Sequence, residues 1–487
     1  MAVEPRKAVA CILVRGGDDF EVLMARRNLS LRFMGGHHVF PGGAIDPTDG
    51  TSPVKGARDA EHATIIEAGA REVFEETGLI CARGSLPDAQ ALRTAREELL
   101  EGRLHFHEIL ARFNLELHAE DFIPAGTWVT PDFSKVRFAT EYLLHRVRDD
   151  QHEELIEGEI IGLDWLTPSE ARQRWHHGEI HLSAPVAYAL QLLANASLAE
   201  AIPMLARGTE RTPGDHNRFE IRRGLTIIPL KSATIPPATH TNCIIVGEQK
   251  LYVIDPGADD EIELQHLATQ LDHLIELGSH IEAIVLTHSH PDHVGGVEFL
   301  RERFGIPVWA HAATDEQVNF EIDRHLNEGD VLVSPGDADW PGDPDWRLRA
   351  IHTPGHDPGH LAFLEESTGG LLAGDMLANP GSIIVSREYR GDMAEYMDSL
   401  RRLIDFECKF IVPAHGMPLA EPRRYLQQQL DHRQWREDKI AAAHQAGATT
   451  FDDLLAASYD DASPAALPLA RHSLDAHLAK LGIVLDA

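Results

Sequence analysis

The stretch THSHPDHVGG, residues 287–296, restricts the fold of this chain more than any other. It follows an apolar run that we predict to be a buried strand. It concentrates three histidines and one aspartate within six residues: His288, His290, Asp292 and His293. Alternate residues of an extended chain project to the same side, so His288 and His290 are expected to point the same way. Histidines spaced so closely are not a core pattern. A loop at a strand end can direct them to one metal ion.

Three further residues of the metal-binding type stand singly near the ends of later apolar runs. They are His356 in HTPGHDPGH, Asp375 in LLAGD and His415 in IVPAHG. A single polar residue in such a place is ordinarily a capping or turn residue, but a series of them after the histidine cluster favours a shared site. We predict that His352 and His360 lie beside this site and do not bind metal.

These residues together resemble the metallo-β-lactamase superfamily over residues 220–420, and IDPG at 254–257 is similar to its first motif. The resemblance implies an αββα sandwich with two metals at one edge. One metal would be held by His288, His290 and His356, the other by Asp292, His293 and His415, with Asp375 as the bridge and Asp255 as a supporting acid. No cysteine takes a ligand position, so the set looks like that of glyoxalase II and related hydrolases.

The ligand types indicate the cofactors and the chemistry. Imidazole and carboxylate suit zinc and also admit iron or manganese, so two Zn ions, or Fe or Mn, are predicted. Two such ions about 3.5–4 Å apart can share a water and lower its pKa to about 7. The resulting hydroxide would attack a carbonyl or phosphoryl centre while a metal stabilises the oxyanion. Asp292 is the predicted catalytic residue of this site.

A second constellation is AREVFEETGL, residues 70–79. Glu72, Glu75 and Glu76 fall on one helix face, where like charges repel. Such a face is common as a solvated surface, but Mg²⁺ held by carboxylates and substrate phosphates gives a reason for it. The stretch resembles the latter half of the Nudix box, REUxEExGU with U aliphatic, and FPGG at 40–43 is similar to the entry of that box. The resemblance implies that all three glutamates hold Mg²⁺ and that Glu75 and Glu76 are catalytic.

The spacing departs from the Nudix pattern. Arg71 follows Gly43 by 28 residues, about twice the family's spacing, and this insertion leaves the first glutamate of the box without a clear match. Nudix members that resemble peroxisomal CoA diphosphatases carry a similar insertion. Residues 23–43 also resemble the CoA-pyrophosphatase signature, so Arg27, Arg32 and Arg71 are candidates to contact a CoA-type molecule. Arginines in such places can equally be ordinary surface residues.

The length of 487 residues predicts several domains. The predicted parts are a Nudix-like α/β/α sandwich at 1–196, a linker at 197–217, a metallo-β-lactamase-fold domain at 218–420 and a winged-helix-like helical tail at 421–487. A turn at 16–19 is expected to join two strands, and a helix over 58–77 is expected to end at Gly78. Thr167 followed by Pro168 predicts the start of another helix.

Charge and cysteine usage limit the partners and the compartment. The formal net charge of −33 disfavours nucleic acid and anionic membranes. The tail has 7 Lys/Arg against 10 Asp/Glu, so a structural or dimer-forming role is favoured over nucleic-acid binding. Four scattered cysteines fit a reducing cytosol, and neither a signal peptide nor a membrane span is apparent. We therefore expect a cytoplasmic enzyme that acts on a small molecule and that can form a homodimer.

The predicted function combines two hydrolases. The C-terminal site is expected to cleave a thioester or related ester of the CoA or glutathione type. The Nudix-like part is expected to cleave a diphosphate or to act as a ligand sensor. The alternative is an endoribonuclease whose Nudix domain handles nucleotide products.

Overall fold

The protein is described from a computed structural model, which describes residues 4–31, 34–130, 136–207, 218–236, 238–276, 278–336, 345–379, 381–464 and 466–485. The chain divides into two compact units, residues 1–215 and 216–487. Among the described residues, no helix is long and apolar enough to cross a membrane.

The first unit contains nine strands and six helices of four or more residues within its described ranges. The strands are β1 Arg6–Arg15, β2 Glu21–Arg27, β3 His38–Val39, β4 Gly42–Ala44, β5 Val54–Lys55, β6 Leu117–His118, β7 Ile123–Val129, β8 Phe138–Arg146 and β9 Ile160–Leu166. The helices are α1 Ala60–Thr77, α2 Ala89–Leu100, α3 Phe106–Arg112, α4 Pro168–His176, α5 Ala184–Asn195 and α6 Leu198–Arg207.

One mixed sheet lies between two helical layers in this unit. Its main path is β3-β2-β1-β8-β7, with β4 paired to β1 and β9 to β2. Alternate residues of β1 face opposite sides: Cys11 packs in the core with α1, α2 and α3, whereas Ile12 packs in the core with α4, α5 and α6. The arrangement confirms the predicted α/β/α sandwich.

The structure confirms the predicted hairpin turn and the predicted ends of two helices in this unit. β1 and β2 pair antiparallel across the predicted turn, with Val14 opposite Val22. Helix α1 ends at Gly78, whose φ of 76° lies in the left-handed region that glycine adopts without a Cβ clash. The Thr167 side chain accepts a hydrogen bond from the backbone N–H of Glu170 at the start of α4.

The first half of the segment predicted as a linker is a helix. Residues 198–207 form α6, and Ala201 and Leu205 of this helix are buried in the core of the first unit. The Gly and Pro residues that suggested a linker lie further on, at 208–217, outside the described residues. The apolar residues of this stretch form a face that packs on the core, and burial of Ala201 and Leu205 stabilises the helix.

The second unit contains thirteen strands and seven helices of four or more residues within its described ranges. The strands are β10 Phe219–Arg222, β11 Leu225–Lys231, β12 His240–Val246, β13 Lys250–Ile254, β14 His280–Val285, β15 Val308–Ala310, β16 Arg324–His325, β17 Val331–Ser334, β18 Trp346–His352, β19 Leu361–Glu365, β20 Gly370–Asn379, β21 Phe410–Gly416 and β22 Leu419–Ala420. The helices are α7 Glu261–Glu276, α8 Pro291–Val294, α9 Val297–Phe304, α10 Met393–Ile404, α11 Pro422–Gln445, α12 Phe451–Ser458 and α13 Leu467–Leu481.

Two sheets pack face to face in this unit. One has the order β10 to β16 and the other the order β17 to β22. Their inner faces share one core, in which Tyr252 of the first sheet and Phe363 of the second are both buried. Helices α7 and α9 cover the outer face of the first sheet, and α10 covers the outer face of the second. The unit is therefore the predicted αββα sandwich.

The tail after residue 421 is helical, as predicted. Helices α11, α12 and α13 form a small core around Ile440, Leu454 and Leu474, while Leu426 and Ala476 join the core under α10. The described part of the tail, 421–464 and 466–485, contains no strand that would form the wing of a winged helix.

Candidate metal centre

The residues predicted from the histidine cluster and from the later strand ends converge at one end of the αββα sandwich. Nε2 of His288 lies 3.0 Å from Nδ1 of His290, and Nε2 of His356 lies 2.9 Å from the same atom. Nitrogens bound to one tetrahedral zinc ion lie about 3.3 Å apart when each Zn–N bond is about 2.0–2.1 Å. The spacing in this group of three is close to that value.

A second group lies next to the first. Asp292, His293 and His415 each offer one ligand atom, and these atoms lie within 4.8 Å of one another, close enough to hold a metal ion. Oδ1 of Asp375 lies 3.6 Å from Nε2 of His293 and 3.4 Å from Nε2 of His415. The other oxygen of Asp375, Oδ2, lies 3.3 Å from Nε2 of His356 in the first group. The two oxygens of Asp375 thus face different groups.

Each of four histidines makes a hydrogen bond through Nδ1 that leaves Nε2 directed to the centre. The acceptors are Thr287 Oγ1 for His288 at 3.0 Å, Asp255 Oδ2 for His293 at 2.9 Å, Ile384 O for His356 at 2.9 Å and His240 O for His415 at 3.0 Å. Such bonds select the tautomer and ring orientation that metal binding needs. His290 differs, because its Nδ1 faces the other two histidines.

The electrostatics of the cluster favour a bound cation. Burial and the adjacent rings of His293 and His290 hold the pKa of His288 well below its usual value, so this imidazole is neutral. Burial also lowers the pKa of His293, but Asp255, Asp292 and Asp375 outweigh it and raise the pKa to about 10. A positive charge is therefore stabilised at Nε2 of His293, and an ion would take the place of that proton.

The donor set fits two metal ions. Nε2 of His293 is buried without a hydrogen-bond partner among the described residues, since the nearest carboxylate oxygens stand 3.6 and 4.0 Å away. Buried polar atoms rarely remain unpaired, and these separations leave room for an ion between the groups. Histidine and carboxylate ligands without thiolate are compatible with zinc, iron or manganese.

Asp375 was predicted to stand at the end of its strand, but the strand continues past it. Strand β20 continues to Asn379, and its pairing with β21 shifts register on both sides of Gly374. His360 accepts a hydrogen bond at Nε2 from the backbone N–H of Asp375, at 2.9 Å. A Cβ on Gly374 would lie 2.5 Å from that same Nε2, and φ there is 49°. A glycine before the aspartate is needed so that His360 can hold the Asp375 backbone.

Two residues near the centre were missed by sequence reasoning. Thr287 donates its hydroxyl to Asp255 at 2.6 Å and receives the bond from His288. Asp357 is fully buried and accepts from the Ser289 hydroxyl at 2.6 Å, which holds the loop between His288 and His290. The available signals were their places in THSH and GHDPG, directly beside candidate ligands.

In the first unit, the predicted acidic face is gathered on α1. Glu72 is largely buried, and burial together with Glu75 raises its pKa to about 7 against the opposing effect of Arg71. Burial and Glu72 hold the pKa of Glu76 well above its usual range. A Cβ on Gly43 would lie 2.6 Å from the Glu72 carboxylate, so a larger residue at the end of FPGG would displace this acid. Carboxylates with raised pKa values crowded on one face are typical of a cation site.

Arg71 lies among these acids, where it does not face outward. Its guanidinium makes two bonds of 2.9 Å with the carboxylate of Asp49, and further bonds to Glu72 at 2.8 Å and to the carbonyl of Ala44 at 3.0 Å. This geometry differs from the predicted contact with CoA, because the donors of a residue only 8% exposed are already occupied. Asp49, the main partner of Arg71, was not selected from the sequence.

Of the other two arginines predicted to contact CoA, Arg27 and Arg32, the structure describes only Arg27. Arg27 pairs with Glu159 at 2.8 Å, and both charges lie near Glu76, so Arg27 sits beside the acidic face. Arg32 lies outside the described residues. Glu159 was not selected from the sequence, since it stands alone in a polar stretch.

Comparison with known proteins agrees with this geometry. The model of the Metallo-beta-lactamase superfamily matches residues 236–415, and the model of the NUDIX domain matches residues 4–184. A "Beta-lactamase-like protein 2 homolog" from Drosophila melanogaster is 30% identical over 220 residues, which cover 43% of this chain and 69% of that protein.

Two further relatives carry names with a stated activity. A "Hydroxyacylglutathione hydrolase GloC" from Haemophilus influenzae is 29% identical, covering 37% of this chain and 87% of that protein. An "Atrochrysone carboxyl ACP thioesterase" from Aspergillus fumigatus is 30% identical, covering 42% of this chain and 60% of that protein.

The fold and the two family models identify a hydrolase with a metallo-β-lactamase domain and a second hydrolase domain before it. The chain belongs to the metallo-β-lactamase superfamily and carries an N-terminal NUDIX domain. Both are hydrolase families that bind metals and act on small molecules.

Proposed function

We propose that the second unit is a two-metal hydrolase that cleaves a thioester of the CoA or glutathione type. The observation that carries the proposal is the position of Asp375, whose two carboxylate oxygens face two different groups of histidines. Two ions bound there would polarise the substrate carbonyl and activate a water for attack.

The residues of the chain would hold these ions with little rearrangement. The imidazole of His288 is already neutral, and the carboxylate of Asp375 stays ionised because His415 and His293 outweigh the effect of burial on its pKa. Asp292 is partly exposed and faces His415 at 3.5 Å, so it stands between the ligand groups and solvent. We assign Asp292 to the second group as ligand and catalytic residue, and two Zn ions, or Fe or Mn, as the cofactors.

The choice of a thioester has two supports. The relatives named as a hydroxyacylglutathione hydrolase and an acyl carrier protein thioesterase both act on thioesters, as their names state. The net charge of −33 opposes close approach of RNA, whereas a CoA or glutathione group requires only a few local contacts. A cytoplasmic location and homodimer formation remain predictions.

A substrate panel with the full-length protein tests this proposal. Acyl-CoA, acyl-glutathione, phosphodiester and short single-stranded RNA substrates are compared after loading with zinc, iron or manganese. We expect turnover of at least one thioester, and its loss in Asp375→Ala. Metal-dependent RNA cleavage without thioester turnover would reverse the choice in favour of an endoribonuclease.

We also propose that the NUDIX domain uses Mg²⁺ to cleave a diphosphate of the CoA type. The support is the close approach of Glu72, Glu75 and Glu76 on one helix face. Arg71 bonds to Glu72 and is itself held by Asp49. Mg²⁺-dependent cleavage of the diphosphate bond in CoA or ADP-ribose, followed as formation of the two phosphomonoester products, tests it. Binding of these compounds without turnover would instead make the domain a ligand sensor.

A further inference from the structure

The loop after β20, residues 381–389, touches the candidate metal centre at two points. The carbonyl of Ile384 accepts the Nδ1–H of His356 at 2.9 Å, which fixes the orientation of that ring. The ring of Tyr389 lies 6.0 Å from the ring of His290, centroid to centroid, and the side chain is 55% exposed. The position of this loop therefore affects two of the candidate ligands.

The C-terminal tail holds the same loop. Arg433 of α11 donates from Nη2 to the carbonyl of Ile383, directly before the residue that binds His356. His472 of α13 lies 3.0 Å, through Nδ1, from Oγ of Ser386. Two elements of the tail thus contact the loop, although neither contributes a residue to the ligand groups.

Arg433 is also linked, through Tyr396 of α10, to the strand that carries Asp375. Its guanidinium carbon lies 5.3 Å from the centre of the Tyr396 ring. The hydroxyl of Tyr396 donates to the carbonyl of Met376 at 2.8 Å, and Met376 is the neighbour of Asp375. Arg433 is therefore linked to both parts of the candidate centre. It binds the carbonyl of Ile383, next to the residue that orients His356, and it contacts Tyr396, which binds the residue next to Asp375.

The burial of Arg433 is costly and calls for a reason. The residue is only 3% exposed, and among the described residues no carboxylate forms an ion pair with it. A buried charge without a counter-ion is unfavourable unless dipoles and aromatic faces stabilise it. The carbonyl of Ile383 and the ring of Tyr396 do so here, and in return the cation fixes both of these groups.

We propose that Arg433 is a positioning residue of the metal centre, through which the tail orients His356 and Asp375. This inference rests on the metal centre proposed above. It gives the tail a function in hydrolysis that requires no nucleic acid, because the tail supplies the contacts that hold the ligand-bearing loop and strand in place.

Arg436 provides a matched control on the same helix. It is a buried arginine, 4% exposed, and it donates to the carbonyl of Ser458 and pairs with Asp461 at 2.7 Å. These partners lie within the tail. Replacement of Arg436 removes a buried guanidinium of the same size without removing a contact to the loop.

The test measures zinc binding to the full-length protein after removal of metal by a chelator. Arg433→Met is expected to weaken zinc binding by about 10- to 100-fold, the usual effect of removing a group that orients a ligand. Arg433→Lys should recover part of the loss, because an ammonium can still donate to the Ile383 carbonyl. Arg436→Met should lower the melting temperature while zinc affinity stays at the wild-type value.

Tyr396→Phe keeps the inference testable if Arg433→Met does not fold. This change removes one hydroxyl from a fully buried side chain and leaves the packing intact. We expect weaker zinc binding and a lower kcat with little change in KM, because ligand geometry changes while the substrate surface does not. Wild-type affinity in Arg433→Met, or an equal loss in Arg436→Met, overturns the inference. A wild-type protein that binds no metal overturns the proposed centre itself.

Discussion

Nδ1 of His293 lies 2.9 Å from a carboxylate oxygen of Asp255, and the backbone of Asp255 has a φ of 51°. This left-handed conformation is uncommon for a residue other than glycine and costs free energy. It turns the carboxylate so that it also accepts from the backbone N–H and hydroxyl of Thr287, at 2.8 and 2.6 Å. Asp255 therefore fixes both the histidine ring and the strand end from which the cluster begins.

The first prediction concerns this pair. Asp255→Asn retains the shape of the side chain but removes the charge that orients His293. We expect about 10- to 100-fold weaker zinc binding, measured by competition with a chromogenic chelator. Asp259→Asn changes an exposed acid of the same loop and should bind zinc as the wild type does. Equal affinities of the Asp255→Asn and wild-type proteins would contradict the role given to this pair.

The second prediction separates the two active sites. Asp375→Ala removes the carboxylate that faces both ligand groups, so thioester hydrolysis should fall by more than about 100-fold, beyond the effect of losing a supporting group. Diphosphate cleavage by the NUDIX domain should be unchanged, because its acids lie on α1. Zinc content by elemental analysis and both activities are measured on the same preparation. Normal zinc content together with full hydrolase activity would refute the ligand assignment.

The third prediction concerns the acids of α1. Glu75→Gln and Glu76→Gln preserve side-chain size but remove charge from the Mg²⁺ site, so diphosphate cleavage should become slower and need more Mg²⁺. Measurement of the rate against Mg²⁺ concentration tests this. Glu61→Gln is the control, because Glu61 is an exposed acid of the same helix that pairs with Lys7. A similar Mg²⁺ response in all three variants would argue against metal binding on this face.

The fourth prediction concerns how the stability of the C-terminal tail against unfolding depends on pH. Hydrogen bonds from His477 and Lys480 outweigh burial and lower the pKa of Glu437, and burial lowers the pKa of His477. Both groups bind fewer protons when folded than when unfolded, so their stabilising contribution is present at neutral pH. It should be lost on acidification, first below about 6.5 for His477 and then below about 4.5 for Glu437. Thermal unfolding across this range should show a smaller pH effect in Glu437→Gln.

The fifth prediction distinguishes thioester from RNA by salt response. At about 0.15 M salt, charge interactions are screened beyond about 8 Å. Thioester turnover should change little between low and physiological salt. RNA cleavage should be slow or absent at the higher value, since the chain is strongly acidic. Rapid RNA cleavage that persists at physiological salt would contradict this ranking.

Several features of the fold could be predicted because they depend on nearby residues. The end of α1 at Gly78 follows from a left-handed residue, and the start of α4 follows from Thr167 with Pro168. The candidate ligands could also be found from the sequence, since His288 to His293 form a dense local motif. The helix at 198–207 was missed, because the Gly and Pro residues that follow it in the sequence led the whole segment to be interpreted as a linker, whereas its apolar residues pack on the first unit's core.

The sequence by itself determined the two domain families, the αββα and α/β/α architectures, and the residue types available at each site. Only the tertiary structure decided which distant side chains meet. Arg71 pairs with Asp49 across an insertion instead of facing a ligand, and Arg433 reaches Ile383 from a helix fifty residues later in the chain. Local patterns encode hydrogen bonding and periodic burial within one element. Contacts between elements depend on how their faces pack, and no spacing along the chain specifies that.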